Sequence, residues 1–277
     1  MDPLPPIDDA FSLRLLAVSR EAGALALSHF QPNARTRARV DWKPGGSPVT
    51  QADFAVDRFL RERLPALLPG AGWLSEETAD TPERLGRRAV FVVDPIDGTR
   101  AFMEGDPRWA VSVALVVDGR PVAGVVEAPA AAETFQARLG AGAFLNGRRL
   151  TVLDRASLRE GRLAGPKFLI DPVARRTGMA AQPKVPSLAL RFARLAAGAF
   201  EAAIASTDSH DWDIAAADLV AQEAGLSLRA MDGCAPRYNR PDPTHGVLLA
   251  TNPSLEPTLR DALRDVLEAA QSDRARA

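Results

Sequence analysis

Two aspartates three residues apart, Asp94 and Asp97, stand at the end of an unbroken apolar run, Ala89-Val90-Phe91-Val92-Val93. Such a run, rich in β-branched residues, reads as a strand buried on both faces. Pro95 has no N–H for a ladder, so the strand is expected to end there. Gly98 permits a tight bend and Thr99 adds a hydroxyl. Carboxylates delivered to the end of a buried strand either take up protons or bind a cation. With oxygen donors only and no cluster of Cys or His, that cation is expected to be hard, with Mg²⁺ the first choice.

Further acids recur elsewhere, each with a structural use of its own. Thr50 and Asp53 resemble a capping box at the start of an amphipathic helix over Phe54 to Leu64, Asp standing where Glu or Gln is usual. Glu76 and Glu77 close the short strand expected over Gly72 to Thr78, and adjacent glutamates are common on solvated surfaces. Asp213 falls in the first turn of an alanine-rich helix, Trp212 to Ala224, where an acid suits the helix dipole.

The elements that must position these acids follow from periodicity and turn signals. A helix is expected from about Ala10 to Phe30, with Pro32 just past its end. A connection expected to be mobile covers Thr81 to Gly86, and a loop covers Phe102 to Pro107. Apolar strands over Trp109 to Val117 and Val122 to Val126, turned at Asp118-Gly119-Arg120-Pro121, form a hairpin, and a meander with an Asn146-Gly147 turn follows. Beyond it come strands at Leu163 to Phe168, Phe200 to Ala205, Leu226 to Ala230 and Val247 to Ala250. Helices are expected at Leu188 to Gly198 and Leu255 to Ala270, with Gln271 to Ala277 frayed. The pattern divides into an α+β lobe over 1–155 and an α/β lobe over 156–277, together one structural unit.

Composition excludes several classes. The chain has 277 residues, 34 basic against 35 acidic, and one cysteine, Cys234. That balance gives no electrostatic case for nucleic acid or an anionic membrane, and a lone thiol makes neither an internal disulfide nor a thiolate metal site. The acidic, proline-containing start is unlike a secretory leader, and no window is apolar enough to span a bilayer, so a cytoplasmic protein is expected.

Taken together and in order, Val49-Thr50-Gln51-Ala52-Asp53, Ser75-Glu76-Glu77, Asp94-Pro95-Ile96-Asp97-Gly98-Thr99 and Trp212-Asp213-Ile214-Ala215-Ala216 resemble the inositol monophosphatase superfamily of Mg²⁺-dependent, lithium-sensitive phosphomonoesterases. The likeness runs from about Phe11 to Asn252. It implies a layered αβαβα sandwich with two or three Mg²⁺ ions, Mn²⁺ able to substitute, and a homodimer. By this resemblance Glu76, Asp94 and the Ile96 carbonyl hold a first ion. Asp94, Asp97 and Asp213 hold a second, and Glu76 and Asp53 lie near a third. Glu76, and Thr99 tied to Asp53, would activate water, while the N–H groups of Gly98 and Thr99 hold phosphate.

The substrate implied is a small phosphorylated metabolite. Inositol-selective members carry a glutamate seven positions before the second-motif aspartate, and here that position is Ser206. The Arg237-Tyr238-Asn239-Arg240-Pro241 segment resembles the bacterial 3′(2′),5′-bisphosphate nucleotidase branch, so 3′-phosphoadenosine 5′-phosphate is placed ahead of inositol 1-phosphate. Fructose 1,6-bisphosphate and histidinol phosphate remain alternatives. Lys184, Arg191, Arg237 and Arg240 are candidates for a second phosphate. Tyr238 is a candidate to stack on a base, with core packing its other use. Asp211 and His210 flank the site as rim, cap or substrate contacts. The rival reading, a regulatory binding protein that keeps the fold, predicts a damaged set of acids, and all of them are present.

Overall fold

The computed structural model of the chain describes residues 4–43, 45–152 and 158–276, with side chains described through residue 272. Seven helices are labelled in chain order: α1 (Asp9–His29), α2 (Gln51–Arg63), α3 (Thr99–Glu104), α4 (Lys167–Thr177), α5 (Leu188–Ala196), α6 (Asp211–Glu223) and α7 (Glu256–Arg276). A seven-stranded sheet runs in the order Gly72–Ser75, Ala89–Asp97, Ala110–Val117, Arg120–Ala128, Glu133–Arg138, Gly142–Leu145, Arg148–Leu150. Its first pair is parallel and every later pair antiparallel. A five-stranded sheet runs Ala180–Ala181, Arg162–Ala164, Ala202–Ala205, Leu248–Thr251, Ser227–Ala230.

Side-chain alternation on the central strand decides how the layers stack. Phe91 and Val93 pack with Phe11, Leu15 and Val18 of α1 and with Val56 and Leu60 of α2. Val90 and Val92 face the other way, onto a core shared with Leu190 and Phe192 of α5 and Ile214 and Leu219 of α6. That core continues into Ala203, Ala205, Leu248 and Ala250, one face of the five-stranded sheet. The opposite face, Leu163, Ala202, Ile204 and Leu249, is covered by Leu169, Ile170 and Val173 of α4, by Leu255 just before α7, and by Leu259 and Leu263 of α7. The order is therefore helices, sheet, helices, sheet, helices: the αβαβα sandwich. A continuous apolar run is needed here because both faces of the central strand exclude water.

The tight turns follow their sequence signals. Asp118 and Gly119 have φ of 51° and 77°, and Asn146 and Gly147 have 49° and 80°. Two left-handed residues in succession make the type I′ hairpin that Asx-Gly pairs favour.

Several expectations are corrected. The central strand passes Pro95 and ends at Asp97, because the ladder skips Pro95 and Ile96 instead of stopping. Thr81 to Gly86 is folded: Pro82–Gly86 is a 3₁₀ turn pinned by the buried Arg84, which bonds Asp80 and Asn239. The loop expected over Phe102 to Pro107 begins inside the short helix α3, which runs to Glu104. Phe168 belongs to α4 and not to a strand; Pro172 lies inside that helix, and burial of Leu169, Ile170 and Val173 outweighs the lost backbone bond. The last helix continues through Arg276 instead of fraying from Gln271. The division at 155/156 falls in residues 153–157, outside the described residues, and one core joins residues from both sides of it.

Candidate active site

Two elements meet end to end to build the acidic centre. At the carboxyl end of the central strand, pairing passes from Asp94 opposite Ser112 to Asp97 opposite Ala110, which leaves Pro95 and Ile96 as a bulge. Bulges re-aim side chains at the edge of regular pairing. The Asp94 Oδ1 accepts the Ile96 N–H at 3.0 Å, and Gly98, at φ 95°, turns the chain into α3. From the other layer, α6 points its first turn at the same place. The Asp213 Oδ2 accepts the His210 N–H at 2.6 Å as the return half of a capping box. Ser112, the pairing partner of Asp94, donates its hydroxyl to the Trp212 carbonyl at 3.0 Å, tying the helix start to the sheet. Asp94, Asp97 and Asp213 each bring an oxygen within 4.8 Å of the others.

Three carboxylates so close repel one another. Burial pushes the Asp94 carboxyl well above the carboxylate range, and the charges of Glu76, Asp97 and Asp213 add to it. Burial and then Asp213 raise Asp97 to about 7, against hydrogen bonds from the Ser187 hydroxyl at 2.5 Å and the Ala189 N–H at 2.6 Å. A buried carboxylate cluster without cations is strained in charge, and a divalent cation relieves it. The donor set fits one: all-oxygen and strongly anionic. Each acid is anchored through one oxygen, Asp94 by Oδ1, Asp97 by Oδ2 and Asp213 by Oδ2, which leaves a second oxygen on each for a ligand.

Asp53 and Thr99 border this centre. The Asp53 Oδ2 accepts both the Thr50 N–H (2.8 Å) and the Thr50 hydroxyl (2.6 Å), so the capping box forms as expected. Its Oδ1 faces the Thr99 hydroxyl at 3.3 Å, and that hydroxyl also lies 3.0 Å from the Ile96 carbonyl. Burial raises Asp53 to about 6 despite the Thr50 bonds, and the Glu76 charge contributes. Cap and site role coexist because the two oxygens face different neighbours.

Sequence reasoning missed Lys43. Its Nζ lies 2.8 Å from Glu76 Oε1 and 2.7 Å from Glu77 Oε1. Burial opposes charge on Lys43, but the two glutamates outweigh it and hold the ammonium above its ordinary value. Glu77, expected on a solvated surface, is buried beside it and pushed up to about 7 by that burial. No local signal marks Lys43, since what singles it out is the arrival of Glu76 and Glu77 from a strand 33 and 34 residues later. Ser187 and Ala189 were likewise unmarked; they reach Asp97 because α5 begins there.

The substrate candidates separate. Ser206 is half-buried at the end of the Ala202–Ala205 strand, and Lys184 is exposed three residues before Ser187. Asp211 is fully buried, its oxygens taken by the His245 Nε2 and the Asn239 N–H, both at 2.7 Å, so it faces the fold and not the rim. Arg191 is buried and donates to the Ile204 and Val185 carbonyls. Tyr238 is in the core, its hydroxyl 2.7 Å from Asp218, which is the packing use and not base stacking. Arg237 lies against the Asp118-Gly119 turn, at the opposite end of the central hairpin from Asp94.

The sequence profile of the inositol monophosphatase family matches residues 12–268. The chain belongs to the inositol monophosphatase family. A histidinol-phosphatase of Mycobacterium tuberculosis is 36% identical over 77% of this chain and 84% of its own length. An inositol-1-monophosphatase of Mesorhizobium japonicum is 33% identical over 83% of this chain and 88% of its own. A 3′(2′),5′-bisphosphate nucleotidase of Aggregatibacter actinomycetemcomitans is 36% identical, but over 47% of this chain and 48% of its own. Among solved structures, the Thermotoga maritima inositol monophosphatase superposes with a TM-score of 0.80 at 26% identity, over 92% of this chain and 97% of that one. Its layered fold is the one described above. The family is one of magnesium-dependent phosphatases, so the chain is a phosphoric monoester hydrolase acting on a small phosphorylated substrate.

Proposed function

We propose that the chain hydrolyses a small phosphomonoester at the Asp94–Asp97–Asp213 centre. The observation that carries this reading is the meeting of three anchored carboxylates within 4.8 Å at the end of a buried strand. Asp94, Asp97, Asp213, Glu76, Asp53 and the Ile96 carbonyl would hold two or three Mg²⁺ ions, with Mn²⁺ able to substitute, and bound there they would supply Lewis acidity to the attacking water and the leaving oxygen. Lys43 fixes one oxygen of Glu76 by its 2.8 Å contact, leaving the other to orient the water. Asp53, held by Thr50, takes proton density from the Thr99 hydroxyl, whose oxygen then accepts from that water. The N–H groups of Gly98 and Thr99 hold the phosphate as α3 begins. The working protein is a homodimer by family resemblance and, on its composition, cytoplasmic; no helix of the described residues is long and apolar enough to cross a membrane.

For the substrate, cation placement favours a ligand with a single phosphate over a nucleotide bisphosphate. Of the four cations suggested for a second phosphate, Arg191 and Arg240 are spent on backbone carbonyls, and Arg237 lies against the far turn. Lys184 alone is exposed near Ser187. Phosphate release with Mg²⁺ is compared for histidinol phosphate, inositol 1-phosphate, 3′-phosphoadenosine 5′-phosphate and fructose 1,6-bisphosphate. Preference for either monophosphate supports this reading. Preference for the nucleotide, with a KM that rises for it alone in Lys184→Ala, returns the bisphosphate reading to first place. Silence on all four with metal bound overturns the enzyme assignment.

A further inference from the structure

At the end of the central strand remote from Asp94 lies an open cavity of about 570 Å³. Arg87, Arg88, Arg237 and Arg240 line it, with Asp118 the one acid. This is a local excess of three positive charges in a chain whose net charge is −1. Arg88 is paired with the Asp118 carboxylate at 3.0 Å. The others form no ion pair among the described residues: Arg237 reaches the Asp118 carbonyl at 3.4 Å, and Arg240 donates to the carbonyls of Arg237 and Thr244, with the exposed Asp242 close enough to feel its charge. The Arg237 guanidinium comes so close to Gly119 that a Cβ there would meet its Nη2 at 3.1 Å. The segment carrying Arg237 and Arg240 is fixed from below. Tyr238 is buried on Asp218, and Asn239 is held by the Asp211 carboxylate and the Arg84 guanidinium.

We propose that this cavity is a second anion site, built for the phosphates of a small polyphosphorylated ligand. Guanidinium groups present paired donors that match phosphate oxygens, and charge-assisted bonds of this kind are stronger than neutral ones. Arg237 and Arg240 on a fixed segment, with Arg87 beside them, match a ligand bearing several negative charges, and the volume is within the range of small-molecule sites. It is not a subsite of the hydrolytic centre. Six residues of extended strand separate Arg88 from Asp94, about 20 Å at the usual rise, and Arg237 lies at that same far end against the Asp118-Gly119 turn.

The test is equilibrium dialysis of inorganic phosphate against the Mg²⁺-loaded full chain. Two sites are expected in the native protein. Asp94→Asn removes the one at the acidic centre and leaves the other. Arg87→Gln with Arg240→Gln weakens the second by roughly tenfold or more while hydrolysis is unchanged. Arg175→Gln with Arg176→Gln, on the solvent side of α4, removes equal charge elsewhere and leaves both sites intact. Loss of all binding in Asp94→Asn overturns the proposal, as does equal weakening in the two arginine pairs, which would mean net charge and not a site.

Discussion

Replacing Asp94 with Asn separates the electrostatic cost of the centre from its chemistry. Asn keeps the side-chain shape and the acceptor for the Ile96 N–H, but removes one of three carboxylates whose oxygens lie within 4.8 Å. Two unit charges at that separation, in an effective dielectric of about 20, repel by about 3 kcal/mol. Protonation already relieves part of this in the metal-free protein, since Asp94 and Asp97 are both displaced upward. A net gain of about 2–3 kcal/mol is therefore expected on removing the charge. For a chain of this size that corresponds to roughly 3–5 °C in melting temperature. The assay is a thermal melt of both proteins at pH 7.5, with EDTA and with Mg²⁺. Metal-free Asp94→Asn should melt above the metal-free native protein, gain little from Mg²⁺, and show no turnover. A variant that melts lower without metal, or that keeps the native Mg²⁺ shift, would refute the account of the centre as a set of mutually repelling ligands.

Two further outcomes follow from the same physics. In metal-free protein Asp53, Glu77 and Asp97 sit at about 6, 7 and 7 in the fold, against ordinary values of 3.8, 4.5 and 3.8. Between about pH 4 and 7 the folded state then binds more protons than the unfolded one, so stability falls as pH rises through that window. Chemical denaturation in EDTA at pH 5 and 7.5 checks the sign, and Mg²⁺ should stabilise more at the higher pH; a metal-free protein more stable at pH 7.5 would contradict it. Tyr238→Phe strips the donor from the buried Asp218 and should cost about 1–3 kcal/mol, with kcat and KM nearly unchanged. A selective rise in KM for the nucleotide would instead place Tyr238 at the substrate.

The regulatory alternative depends on a damaged acid set, and the structure brings Asp94, Asp97 and Asp213 together with Asp53, Glu76 and Thr99 at their border. The substrate distinction stands differently, because the relatives named for histidinol phosphate and inositol phosphate match this chain at 36% and 33% identity over most of its length. The acids act on the phosphate, so discrimination between substrates is expected from residues around them, Ser206 and Lys184 first.

What was legible in the sequence was everything carried by short-range pattern. The run Ala89–Val93 announces a strand buried on both faces, Thr50 with Asp53 announces a helix start, and Asp118-Gly119 announces a hairpin, because each rests on neighbours within a few residues. The ordered acidic motifs also marked the site, since spacing along the chain survives folding. Tertiary structure alone decided which charges meet. Lys43 joins Glu76 and Glu77, Ser187 takes Asp97, and Asp211 turns inward to His245, each across 30 to 90 residues. It also carried Arg237 away from the acids, because Tyr238 is drawn into the core and the chain beside it must follow to the far turn. Charge and hydrogen-bond partners are chosen by proximity in space, and no local pattern records them.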